Sequence, residues 1–210
     1  MRTDLAERRR QARRERRARV ERLAGTMSAP EAPLVWGAGW GARGTAAVWC
    51  VMFVAVADHP AEAALAHPQP VASIFALWCS LVVGWICSWL ALWRITADRD
   101  GVHIRRLWST RFLSWSTISR VEMRHDGQLE FFGPEKEPMA GLFSPPWLSR
   151  VLRRSGGRGQ TAADMLSAMV RHSRLRPTAQ AERALIGSGL VRWAVALAVG
   201  LYGAAAFLHR

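Results

Sequence analysis

The chain has 210 residues, half of them hydrophobic, and a net charge of +13 from 29 Lys and Arg against 16 Asp and Glu. With the long apolar segments set aside, about 90 residues remain, enough for one small folded domain and too few for two. The positive charge is gathered at the N-terminus and beside the apolar segments, which points to membrane topology rather than to a basic nucleic-acid-binding fold, and only Lys136 among the cations is lysine, a bias expected of a GC-rich genome.

Residues Met1 to Arg22 include ten Arg, interrupted by Asp4, Glu7, Glu15 and Glu21. So little apolar surface cannot drive folding alone, although the Arg and Glu spacing supports helix at a charged interface. The expectation is a mobile basic arm with its linker, residues 1–33, lying on anionic lipid. A solvated tail and a nucleic-acid-binding arm are the weaker alternatives. A secretory signal is not expected, because no short apolar core with a small-residue cleavage site follows the cations. Gly, Ser and two Pro mark Gly25 to Pro33 as a linker.

Leu34 to Ala57 is apolar apart from Arg43, whose long stem can snorkel to an interface. It is expected to cross the membrane, with a re-entrant segment as the alternative. Asp58 to Pro70 follows with Asp58 and Glu62 but no Lys or Arg, and so belongs outside the cell if both flanks are cytoplasmic. His59 and His67 in this loop make a weak metal or pH-sensing pattern, and a turn-rich loop explains them as well. Val71 to Trp93 then runs 23 residues without an ionisable side chain, ending at Arg94. At about 1.5 Å per residue it spans about 35 Å, sufficient for a hydrocarbon core of about 30 Å. Trp85, Trp89 and Trp93 approach the Arg94 end, where amphipathic rings suit the headgroup zone. Residues 34–93 are thus expected to form a transmembrane helical hairpin. Cys50, Cys79 and Cys87 all fall in these apolar segments and read as packing residues, not as a disulfide or metal framework.

Beyond Arg94 the period changes from continuous apolarity to alternation. Strands are expected on either side of a turn at Asp98-Arg99-Asp100-Gly101, then at Arg111 to Trp115, Ile118 to Met123 and Leu129 to Phe132, the last two joined by a turn at Asp126-Gly127. His103, on an alternating strand, is expected to face outward. Thr161 to Leu175 reads as a helix with Thr161 as N-cap, Asp164 in its first turn, a stripe of Met165, Leu166, Met169 and Val170, and Arg171, Arg174 and Arg176 near its negative end before Pro177.

The order Thr96-Ala-Asp-Arg-Asp-Gly-Val-His-Ile104, then Trp115-Ser-Thr-Ile118 leading into Ser-Arg-Val-Glu122, resembles the bacterial pleckstrin-homology (PH-like) domains of membrane-anchored actinobacterial proteins. The resemblance covers Ile95 to about Leu175. It implies a bent antiparallel sheet capped by a C-terminal helix and used for binding or assembly. The Pro- and Gly-rich stretch Gly133 to Gln160 departs from that pattern where further strands are due: either those strands are abbreviated, or Leu148 to Arg154 forms a short basic helix. The resemblance also implies that Arg105, Arg106, Trp108 and Arg111 lie near the first hairpin loop, where related domains collect phosphates, so these four are the candidate lipid-headgroup residues.

After a linker at 177–189, residues 190–208 are expected to form a third transmembrane helix, with Gly200, Gly203 and Ala204 as a smooth packing face. The chain lacks a phosphate-binding loop, a paired-Cys motif, a nucleophile elbow and a zinc-protease helix, and the Gly156 to Gly159 stretch is a flexible link. The composite expectation is an α+β membrane protein: a helical hairpin, a cytoplasmic PH-like domain at 94–176 and a third span. It would be non-enzymatic, without metal or cofactor, serving as a scaffold or accessory subunit at the plasma membrane. Its expected partners are anionic lipid and an unidentified protein. The alternatives are a sensor or transport-associated subunit and, less favoured, nucleic-acid binding through the Arg-rich N-terminus.

Overall fold

The computed structural model describes residues 2–56, 70–134, 136–140, 143 and 157–208. The loop with Asp58, His59, Glu62 and His67, the proposed helix Leu148 to Arg154 and the link Gly156 lie outside the described residues. The chain is α+β, with small antiparallel sheets and, among the described residues, six α-helices. It divides into two compact units. One gathers Met1–Trp36, Ile95–Ile104 and Phe112–Ile186, and the other gathers Gly37–Arg94, Arg105–Arg111 and Gly187–Arg210.

In the first unit, α1 (Arg2–Thr26) precedes β1 (Leu34–Gly37), and β2 (Arg94–Ala97), β3 (Gly101–Arg105) and β4 (Thr110–Ser114) complete a sheet of order β1-β2-β3-β4. The second sheet, of order β5-β6-β7, comprises β5 (Arg120–Met123), β6 (Leu129–Phe132) and β7 (Lys136–Ala140). The hairpin β2–β3 pairs Ile95 with Ile104 and Thr96 with His103, and β5–β6 pairs Val121 with Phe131. Alternation along these strands sends Ile95, Ala97, Val102, Ile104, Val121, Leu129 and Phe131 into the core, as a period of two requires. Gly127, with φ of 87°, makes the turn from β5 to β6 in a region of backbone space that side chains disfavour. Of the strands due after Gly133, one short strand, β7, is present, with a register irregularity against β6.

The helix α4 (Arg158–Arg171) covers the core with Ala162, Ala163, Leu166 and Met169. It begins one turn before the expected Thr161, with Gly157 as N-cap and no side-chain cap. Ser167 Oγ accepts the N–H of Val121 at 3.2 Å and donates to its carbonyl at 3.0 Å, so a hydroxyl in α4 satisfies the open edge of β5. At the helix end Arg176 Nε donates to the Met169 carbonyl at 3.0 Å, and the guanidinium lies 5.4 Å from the Trp115 ring. A short 3₁₀ turn (Ser173–Leu175) and α5 (Arg183–Ile186) follow.

The N-terminal segment departs from expectation: it is not a mobile arm but a 25-residue helix packed on α4. Val20 and Ala24, one turn apart, are buried. Arg16 pairs with Glu122 and also bonds the Val121 carbonyl, Arg19 Nε meets Asp164 at 2.8 Å, and Glu21 bridges Arg171 and His172. Asp164, expected in the first turn of the helix, lies a turn further in, is buried, and also accepts from Gln160. Tertiary ion pairs and two small apolar residues thus supply the stability that the segment lacks alone.

The second unit contains α2 (Trp40–Val56), α3 (Pro70–Leu92) and α6 (Val191–Leu208). The first expected span begins later than Leu34, because Leu34–Gly37 is strand and α2 has 17 residues. Within α3, Ile74–Leu92 is long and apolar enough to cross a membrane, and only 22% of it is buried inside the protein, unlike a core helix. A Cβ on Gly84 of α3 would lie 2.7 Å from the Ala194 carbonyl and 3.1 Å from the Ala198 Cβ of α6, so glycine sets the approach of these two helices. Cys87 Sγ meets the Ala46 carbonyl of α2 at 3.6 Å. These contacts join the end of α3 to the starts of α2 and α6, so α3 runs antiparallel to both. The expected smooth face of Gly200 and Gly203 is open rather than packed. Ala194, Ala198, Leu201 and Ala205 are buried instead, since their spacing places them on one side of α6.

Candidate functional site

The connection from β3 to β4, Arg105–Arg111, belongs to the helical unit. Its carbonyls at Arg106 and Leu107 accept the N–H groups of Leu190 and Val191 at 3.1 and 2.9 Å, satisfying backbone donors at the start of α6 that would otherwise have no helical partner. Thr110 Oγ1 donates to the Gly187 carbonyl at 2.8 Å, and Gly187, at φ of 72°, turns the chain around Arg105. Arg105 Nε donates to the Ser188 carbonyl at 2.7 Å and its Nη1 to the Leu92 carbonyl at 3.4 Å. The guanidinium therefore caps the last turn of α3 while holding the segment that leads into α6.

Burial lowers the pKa of Arg105 from its ordinary value, and the like charges of Arg94 and then Arg192 add to the effect. Of the four headgroup candidates, Arg105 is therefore partly a structural clip. Arg106 and Arg111 are half-buried and engaged within the protein, and Trp108 projects with 80% of its surface exposed. Around the same ends of the helices the Arg192 guanidinium lies 5.4 Å from the Trp193 ring and that of Arg43 lies 5.9 Å from Trp40. Arg94 and Arg192 joined the candidates only through folding: they are 98 positions apart, and Arg105 links the carbonyls two residues before the one and four before the other.

The four candidates are not at the first hairpin loop of the domain. That loop is Asp98–Asp100, and it is built around an anion. The Asp98 carboxylate is buried and accepts the N–H groups of Asp100, Gly101 and Ala181 at 3.0, 2.9 and 3.1 Å, together with His103 Nε2 at 3.0 Å. Burial pushes its pKa upward, but the bonds from Ala181, Gly101, His103 and Asp100 outweigh it and hold the carboxyl below its usual range. Its own carbonyl accepts the Trp115 indole at 3.0 Å. His103 is consequently turned to Asp98, tilted on Phe112 at a centroid distance of 4.9 Å, rather than facing outward. A carboxylate with four donors is a structural hub with little basicity left for proton transfer. Among the described residues no three His, Cys, Asp or Glu side chains gather as a metal centre requires.

No protein-family model, no curated protein and no solved structure matches the chain.

Proposed function

We propose that the chain is a non-enzymatic, multi-pass plasma-membrane protein whose N-terminus and PH-like domain lie in the cytoplasm, where it acts as a scaffold or accessory subunit. The observation that carries this reading is the helical unit. One helix has spanning length and outward-facing Ile74, Phe75, Trp78 and Trp85, and its neighbours α2 and α6 also expose Trp49, Val51, Val195 and Val199. At about 1.5 Å per residue, α2 and α6 reach about 26 and 27 Å, close to the hydrocarbon thickness once snorkelling ends are counted. Arg43, Arg94, Arg105 and Arg192 collect with Trp40, Trp108 and Trp193 at one end of that unit, the pattern of a cytoplasmic interface. For the PH-like reading, the support is two antiparallel sheets followed by a helix over the expected stretch. With salt bridges and a saturated carboxylate as the site chemistry among the described residues, assembly with anionic lipid and a protein partner is the function these features suit.

Single cysteines at Ala63 and at His125, in a chain with Cys50, Cys79 and Cys87 replaced by Ala, test the topology in intact cells with an impermeant maleimide. Labelling at position 63 alone is expected. Labelling at position 125 would put the domain outside and overturn the cytoplasmic scaffold, and a chain recovered in the soluble fraction would overturn the membrane assignment altogether.

A further inference from the structure

Arg105 is fixed by two carbonyls from opposite sides, Leu92 at the end of α3 and Ser188 before α6. Those carbonyls stand two residues before Arg94 and four before Arg192, so the same clip that closes the helix ends draws three cations together. Burial and the like charges of Arg94 and Arg192 all weigh on the Arg105 guanidinium, so the three cations stand near one another. Two N–H groups of Arg105 are committed to backbone, and the rest of its planar fork remains to donate. Trp108 is 80% exposed and Trp193 48%, so broad amphipathic rings flank the cations. Away from this end, α3 and α6 expose apolar side chains such as Ile74, Trp78, Val199 and Phe207 rather than polar ones.

We infer that Arg94, Arg105 and Arg192, flanked by Trp108 and Trp193, bind the phosphodiester of an anionic phospholipid whose acyl chains lie along the helical unit. This rests on the membrane reading above and makes it more specific: the site takes one lipid rather than a diffuse anionic surface. Guanidinium groups meet phosphate oxygens with paired N–H donors, and the indoles fit the glycerol and headgroup level of a bilayer. A zwitterionic lipid offers the same phosphate but adds a cation that Arg94 and Arg192 repel. The site therefore selects for net negative charge. The first-hairpin turn of the domain has no part in it, because its carboxylates Asp98 and Asp100 exclude anions.

The full-length protein in nanodiscs of equal phosphatidylglycerol and phosphatidylcholine, released into native mass spectrometry, supplies the test. The wild-type chain is expected to retain phosphatidylglycerol over phosphatidylcholine by about tenfold, the ratio that a 1.4 kcal/mol preference gives. Arg94→Gln with Arg192→Gln is expected to bring the retained lipids near their bulk ratio, whereas Arg10→Gln with Arg14→Gln, on exposed α1 positions, is expected to leave the enrichment unchanged. If the double variant fails to incorporate, Arg192→Gln alone, at an exposed position, carries the same comparison with a partial loss. Enrichment that survives loss of Arg94 and Arg192, or that falls equally with the α1 variant, overturns the site in favour of general polybasic attraction. Release of the retained lipid by excess inorganic phosphate assigns the pocket to free phosphate and overturns the lipid assignment. A wild-type chain that never enters nanodiscs sinks the membrane reading and this inference together, whereas one that enters without enrichment sinks the inference alone.

Discussion

At the scale of single residues the molecule is held by charges placed where water is scarce. Asp98 is the clearest case: its carboxylate ties the β2–β3 turn to the incoming segment at Ala181, and its carbonyl holds the Trp115 indole. Replacing it with Ala leaves the N–H groups of Asp100, Gly101 and Ala181 and the His103 ring without their acceptor, a loss of about 1–3 kcal/mol. Thermal unfolding of the full chain in detergent, followed by Trp fluorescence, measures it. The pH dependence has a definite sign. Because the folded carboxyl titrates below its ordinary value of 3.8, its stabilisation is fully present above that value and is lost as the pH falls through the lower folded pKa. The melting-temperature difference between wild type and Asp98→Asn is therefore expected to be constant near neutrality and to shrink below about pH 4. A difference that grew on acidification would contradict this reading. Little of this was legible beforehand. The Asp-Arg-Asp-Gly sequence announces a turn, but alternation placed His103 outward, since a period of two carries no information about a carboxylate five residues away that turns back on it. Arg105 shows the same limit: its residue type suits phosphate, but nothing local in the sequence points to its carbonyl partners Leu92 and Ser188, the latter 83 positions away.

At the scale of elements the sequence was most informative where one physical constraint dominates. Val71 to Trp93 was readable as helix because so long a run without charge has few other stable forms, and the structure places α3 within one residue of those bounds. By contrast, α1 has almost no apolar content, and what orders it stands 100 to 150 positions away: Glu122, Asp164, Arg171 and His172. If these pairs order the helix, removing Arg19 must loosen it, because Asp164 then keeps a buried charge without its 2.8 Å ion pair, supported by the Gln160 hydrogen bond and the charge of Arg16. Trypsin reads this directly, since α1 offers many Arg sites that cleave only when the helix opens. Arg19→Ala is expected to speed cleavage of α1 several-fold, equivalent to about 1–2 kcal/mol of local opening. Adding Asp164→Asn is expected to return most of the protection, because the variant no longer strands a charge. Equal cleavage in all three chains would show that the Arg19–Asp164 pair does not help hold the helix. Gly84 makes a parallel case in the other unit. A Cβ there meets the backbone of α6 at 2.7 Å, so Gly84→Ala must part the helices, at a cost of about 1–3 kcal/mol, whereas Gly200→Ala, with open space around it, is expected to be neutral in detergent melts.

At the scale of the whole molecule the chain order and the folded order differ. A domain read from the alternating stretch alone would run from Arg94 to Arg176, but the unit that holds most of it also takes Met1–Trp36, extends to Ile186 and cedes Arg94 and Arg105–Arg111 to the helical unit. Periodicity within a segment cannot reveal this, because β1 is a four-residue strand beside an apolar run and its pairing with β2 joins segments separated by two helices. The consequence is testable by dividing the chain. A fragment of residues 95–186 lacks β1, so one edge of β2 loses its ladder, and it lacks α1, so Asp164, Glu122 and the buried contacts of Val20 and Ala24 lose their partners. Such a fragment is expected to melt broadly, without the cooperative transition of a packed core. Added in trans, a peptide of residues 1–36 supplies both elements, and a ligand that binds only the folded state stabilises it by mass action, by about 2.7 kcal/mol at a hundredfold excess over its dissociation constant. The melting temperature of the mixture should therefore climb with peptide concentration, and a peptide carrying Arg16→Glu and Arg19→Glu should shift it far less. A fragment that unfolds cooperatively at one temperature whatever the peptide concentration would show that the first 36 residues decorate the domain rather than complete it.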